Sequence, residues 1–166
     1  MPASPAPDPV LDGQESVWDY PRPPAVRPCS RSIEVSFGGH VVCRTTSSLQ
    51  VLETSHPPVY YLPRSTFTAG ALRPARGASL CEWKGAAAYL DIVAGGRVAS
   101  AAAWYYPNPS PGFEALAGHV AVYAGRVDGC FVDGRRVQPQ PGGFYGGWIT
   151  PDVAGPFKGA PGTIGW

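Results

Sequence analysis

Charge is scarce in this chain. Lysine, arginine, aspartate and glutamate make up 15% of its 166 residues, well under the roughly 25% of an ordinary globular protein. Thirteen basic residues stand against twelve acidic ones, for a net charge of +1. No whole-molecule field exists to draw in nucleic acid or an anionic membrane, and neither partner is expected. Long apolar runs are missing too: the longest, around Ala99 to Tyr106, falls far short of the roughly 20 residues that cross a bilayer. The amino end, MPASPAPDPVLDGQ, has neither the basic start nor the apolar stretch of a secretory signal. A soluble protein in a reducing cytoplasm is therefore expected. Cysteine is sparse: Cys29, Cys43, Cys81 and Cys130 lie 14, 38 and 49 residues apart. This spacing contains no short-spaced ligand pair for zinc and suggests free thiols, so no metal or cofactor is expected. A zinc site from Cys81, His56 and His119 would need three distant segments to meet. Spacings of the GxSxG, HExxH, GxGxxG and P-loop kinds are absent.

Glycine (21) and proline (20), by contrast, are plentiful, which disfavours long amphipathic helices and points to short strands joined by turns. Eight prolines among residues 1–28 suggest a flexible arm over 1–16, with Trp18 and Tyr20 marking where the chain docks. Ile33, Val35 and Phe37 alternate with polar residues as in a half-buried strand. Gly38-Gly39 then supplies a turn and His40 to Thr45 a return strand. Leu49 to Leu52 fits a short strand or one helical turn, and Val59 to Leu62 a strand after the Pro57-Pro58 pair. Residues 69–79 read as loop. Ala86 to Val93 and Arg97 to Tyr106 form a second hairpin about Gly95-Gly96, Phe113 to Gly118 a short helix and His119 to Tyr123 a strand. Asp133-Gly134 turns a third hairpin. Residues 138–166 are rich in glycine and proline yet hold Phe144, Tyr145, Trp148, Phe157 and Trp166. Disordered tails are poor in aromatics, so this extension is expected to lie on the domain or on a partner subunit, possible homodimerisation included.

Three stretches together resemble one family of uncharacterised bacterial proteins, domain of unknown function 427. They are VLETSHPPVYYLPR (Val51 to Arg64), CEWKGAAAY (Cys81 to Tyr89) and AAWYYPNPSPGFEALAGHVAVYAGRVDGCFVDGRRV (Ala102 to Val137). The resemblance spans residues 17–137, and the extension beyond looks like one found in a subset of the family. It implies a mainly β fold, a small two-sheet domain of the β-tent kind, and brings no established reaction. The family is sometimes labelled nucleotidyltransferase-like. That chemistry ordinarily needs closely placed carboxylates for Mg²⁺, and here Asp128 and Asp133 sit five apart with no acidic pair at spacing two.

Candidate chemistry gathers in two places. Glu53-Thr54-Ser55-His56 concentrates titratable groups beside prolines and tyrosines. On one turn Glu53 and His56 face together as an acid/base pair requires; in extended chain they face apart. The bland alternative is a histidine capping a turn beside a solvated or arginine-paired glutamate. Tyr60, Leu62 and Arg64 share a strand face, on which Arg64 could grip an anion and Tyr60 a ring, or both could serve ordinary sheet packing. In Cys81-Glu82-Trp83-Lys84-Gly85, Lys84 could be a desolvated base or a snorkelling side chain, its parity uncertain across Gly85. Cys81 could be a nucleophile or inert packing. Trp83, Trp104, Tyr105 and Tyr106 could form an aromatic wall or a core. The set expected to converge is Glu53, His56 and Lys84 as catalytic candidates, with Arg64, Tyr60, Trp83 and Tyr106 as ligand contacts. The function expected is binding of a small anionic or aromatic ligand, with possible acid/base activity. A non-catalytic interaction or dimerisation module is the alternative.

Overall fold

The computed structural model describes residues 4–166. Its strands are β1 (Glu15–Ser16), β2 (Ala25–Cys29), β3 (Ile33–Phe37), β4 (His40–Thr45), β5 (Ser48–Leu52), β6 (Val59–Pro63), β7 (Leu72–Cys81), β8 (Gly85–Ala94), β9 (Arg97–Tyr105), β10 (His119–Val122), β11 (Gly129–Val132), β12 (Arg135–Arg136), β13 (Gln138–Pro139), β14 (Trp148–Ile149) and β15 (Val153–Ala154). The helices among the described residues are short 3₁₀ turns, such as Arg64–Thr66 and Glu114–Leu116, and none is long and apolar enough to cross a membrane. The expected mainly β, two-sheet architecture is what the chain adopts.

Two open sheets carry the fold. The larger has the order β2-β5-β6-β10-β9-β8-β7, the smaller β12-β11-β3-β4, and β1 with β15 and β13 with β14 form two further pairs. Because strand side chains alternate between faces, the larger sheet sorts its residues sharply. Tyr60, Leu62, Leu90, Ile92, Val120 and Val122 face the smaller sheet, where Ile33, Val35, Cys130 and Val132 complete the main core. Val51, Tyr61, Ala87, Trp104 and Ala121 face the other way and form a second cluster with Tyr106, Phe113 and Leu116. The two sheets also meet at their turns. A Cβ on Gly38 would strike the backbone of Ala94, and one on Gly95 the backbone of Gly38, so both hairpin turns need glycine to approach this closely.

The three expected hairpins are present, and Leu49 to Leu52 is strand. Residues 69–79, expected as loop, instead hold most of β7. This strand lies at the sheet edge, where Pro74 and Gly77 interrupt its alternation and its pairing with β8 slips between Pro74 and Ala78. An edge strand tolerates proline because one side of it needs no hydrogen-bonded partner. The opposite edge, β2, carries Pro28 and was hidden for the same reason.

Of the arm expected to be flexible, residues 1–3 lie outside the described residues. Further along, the Asp8 amide donates to Gly155 O (2.8 Å), Gln14 donates to Pro151 O (3.0 Å), and β1 pairs in parallel with β15. These bonds, one of them from the Gln14 side-chain amide, tie the arm to the C-terminal segment, a partner with no signal in the proline-rich stretch itself. That segment crosses the larger sheet in turn. The Trp148 indole donates to Val122 O at 3.0 Å, and its ring stacks on Tyr60 with centroids 4.9 Å apart.

Candidate functional site

The second face of the larger sheet is incompletely covered, leaving a cavity of about 410 Å³. Its floor is Val51, Tyr61, Tyr89, Trp104 and Tyr106. The turn joining β7 to β8 brings Cys81, Trp83 and Lys84 to one side, and the C-terminal segment brings Gln140, Tyr145, Gly146 and Lys158 to the other. Gly146 crosses directly over Trp104: a Cβ there would overlap the indole. Burial pushes the phenol pKa values of Tyr61 and Tyr106 up, so both remain protonated hydrogen-bonding groups.

Glu53 and His56 stand at one end of the cavity. The chain after β5 turns tightly, with the His56 amide donating to Glu53 O (3.0 Å) and Ser55 between them at φ 74°. The turn resolves the open alternatives: both side chains face the same way, His56 Nε2 lying 3.6 Å from Glu53 Oε2. Glu53 is also 3.9 Å from Arg22 Nε.

The histidine's protonation follows from its neighbour. Gln140 Oε1 accepts from the Gly147 amide (3.1 Å), so the other end of the amide must be its NH₂. That group donates to Lys158 O (2.8 Å) and to His56 Nδ1 (3.0 Å). Nδ1 is therefore an acceptor and the ring proton sits on Nε2. Burial, together with the cations Lys158, Arg22 and Lys84, pushes the His56 pKa down to about 3. A neutral imidazole whose lone pair is already engaged cannot take a proton from a substrate. It can only donate through Nε2–H, and any base function at this end falls to Glu53.

Lys84 is buried, with 8% of its surface exposed, and its Nζ lies 5.9 Å from the Tyr106 ring centroid. The parity broken at Gly85 (φ 107°) turns Lys84 away from the main core and onto the cavity face. Among the described residues no carboxylate lies within ion-pair distance of it. Lys158 Nζ is 5.6 Å from the Tyr145 ring centroid and donates to Trp166 O (3.3 Å).

Glu53, His56, Lys84, Trp83 and Tyr106 thus line one cavity; Tyr60 and Arg64 do not. The expected grouping is corrected for these two. Alternation along β6 sends Tyr60 into the inter-sheet core and its neighbour Tyr61 into the cavity. The chain then leaves the strand in a 3₁₀ turn, placing Arg64 on the surface over the Tyr105 ring, 5.1 Å from its centroid. Tyr60 instead borders a separate, smaller cavity of about 360 Å³. Its arginines are already paired: Arg27 with Glu15 (2.7 Å) and Gln50 (2.9 Å), Arg31 with Asp152. Such self-satisfied charges leave little for a ligand to engage, which singles out the cavity around Lys84.

Tyr61, Gln140, Tyr145 and Lys158 were not foreseen. The parity of β6 could have indicated Tyr61; the others sit on irregular chain that carries no period. No group of three or more His, Cys, Asp or Glu side chains gathers among the described residues in a metal-binding arrangement. Among curated proteins none matches the chain. The sequence model of one family, described as domain of unknown function (DUF427), matches residues 25–133, and the chain belongs to that family.

Proposed function

We propose that this DUF427 member binds a small planar organic anion in the cavity between the larger sheet and the C-terminal segment. The observation that supports this most directly is Lys84, a buried ammonium with no acidic partner that opens into an aromatic-lined space. Burying an unpaired charge is costly, and an anionic ligand would supply the missing partner. The volume, about 410 Å³, suits a one- or two-ring molecule. The half-buried rings of Trp83 and Tyr89 offer apolar contact, and the Tyr106 hydroxyl and His56 Nε2–H offer hydrogen bonds. Glu53 is the group placed to accept a proton if the bound molecule reacts, so acid/base turnover belongs to the same proposal.

Titration calorimetry with 2-naphthoate tests it. The wild-type protein should bind, and Lys84→Met should abolish binding while leaving the melting temperature nearly unchanged, because methionine replaces the buried stem without the charge. Retained binding in Lys84→Met, or a melting temperature lowered by several degrees, would overturn the assignment. A second reading rests on Leu80 and Phe144, both strongly exposed at the cavity rim (83% and 71%), which would suit a protein partner or a second copy of the chain. Sedimentation showing a dimer that Leu80→Ser dissolves would favour it.

A further inference from the structure

The family match stops at residue 133, yet one whole side of the cavity comes from beyond it. Gln140, Tyr145, Gly146 and Lys158 all line the space. Without them Trp104 would lie open on the sheet face and His56 would have neither its hydrogen-bonding partner nor its second neighbouring ammonium. The additional segment therefore supplies chemistry as well as cover.

Two cations, Lys84 and Lys158, line the cavity from different segments, each beside an aromatic ring. Neither has a side-chain carboxylate within ion-pair distance among the described residues; Lys158 gives one of its three ammonium hydrogens to Trp166 O (3.3 Å) and keeps two for a ligand. Of the acidic groups that line the cavity, Glu53 is drawn off by Arg22 and Glu82 is exposed at the mouth. The third donor is His56 Nε2–H, whose 3.6 Å separation from Glu53 is too long for a hydrogen bond and leaves it free for a ligand. Gln140 holds the ring in that tautomer through Nδ1. Three donors thus serve one space, two of them placed or oriented by residues 138–166.

Building on the ligand-binding proposal above, we infer that the segment 138–166 makes the cavity selective for an aromatic carboxylate: Lys158 shares the acidic group with Lys84, and Gln140 locks His56 as a third donor to it. A carboxylate has two oxygens and about four acceptor directions, enough for all three groups. A neutral amide of the same shape presents one acceptor oxygen and two donor hydrogens that would face the ammoniums. The segment would then discriminate by charge, while the sheet face accepts the ring.

The test compares 2-naphthoate with 2-naphthamide by titration calorimetry on wild type, Lys158→Met and Lys158→Arg. Wild type should prefer the carboxylate at least tenfold. Losing one charge-assisted contact should weaken 2-naphthoate by about tenfold in Lys158→Met, with 2-naphthamide changed less than twofold. Lys158→Arg should keep most of the preference. If Lys158→Met keeps the wild-type preference, or weakens both compounds equally, this inference is overturned while the cavity proposal stands. If wild type binds neither compound, the cavity proposal itself falls.

Discussion

Trp148→Ala is the sharpest test of how the C-terminal segment is held. The side chain is 1% exposed and sits in the main core, stacked on Tyr60 at 4.9 Å and an interplanar angle of 20°. Its indole N–H donates to Val122 O at 3.0 Å, and its backbone amide to Pro58 O at 2.9 Å. Truncation leaves a void where the ring stood, worth about 3–5 kcal/mol for a buried tryptophan. It also takes away the indole partner of a buried carbonyl, about 1 kcal/mol more. At about 2–4 °C per kcal/mol for a chain of this length, melting should drop by roughly 10 °C or more. Urea unfolding followed by fluorescence and circular dichroism should show the midpoint shifted with an unchanged slope, meaning lower stability rather than a changed unfolded state. Trp148→Phe separates the two contributions, since it keeps a stacked ring and loses only the donor, for about 1–2 kcal/mol. A Trp148→Ala loss below about 1 kcal/mol would refute the reasoning and make the segment a loosely attached passenger.

Two further outcomes follow from the site. The His56 pKa is about 3 in the folded chain and near 6.5 in the unfolded one, so between these values protons bind preferentially to the unfolded state. Its contribution to stability is therefore complete above about pH 6.5 and is lost as pH falls toward 3, with a slope of up to about 1.4 kcal/mol per pH unit. His56→Gln should flatten the stability profile between pH 6 and 5, above the range where carboxylates such as Glu15, itself held low by Arg27, take up protons. An unchanged slope in the variant would show that His56 is not the titrating group. Gly146→Val would drive a side chain into the Trp104 indole and lift the covering segment. Affinity for 2-naphthoate should fall at least tenfold and the near-ultraviolet tryptophan signal should change; wild-type affinity would mean that the segment does not press on the ring.

What could be read from the sequence depends on where each strand sits. β3 and β4, and β8 and β9, bury one face and meet at double-glycine turns, so period-two alternation and turn chemistry both mark them. The two edge strands of the larger sheet, β2 and β7, carry Pro28 and Pro74 with mostly exposed or half-buried side chains. Edges need neither alternation nor a full set of amides, and proline there discourages pairing with other chains. The features that conceal these strands in sequence are those that protect them in the fold.

The site divides along a similar line. Scarcity of charge pointed to Glu53, His56 and Lys84, since a charge-poor chain that keeps titratable groups among prolines and aromatics usually encloses them. Strand parity alone misled at Arg64, because the 3₁₀ turn begins where the extended count would have continued, and Tyr60 followed its own strand into the core. Gln140 and Lys158 were out of reach for a different reason. They lie on glycine- and proline-rich chain whose path is set by long-range contacts: Trp148 in the main core, the Lys158 amide donating to Ser55 O at 2.9 Å, and β15 pairing with the arm. Their chemistry is consequently a product of how the segment docks. A sheet whose aromatic face is left open can acquire a new ligand preference when an irregular segment is laid across it, provided that the segment brings one core anchor and one charge. Here Trp148 is the anchor and Lys158 the charge. Loss of either should be felt at His56, whose ring meets the segment through Gln140 and Tyr145.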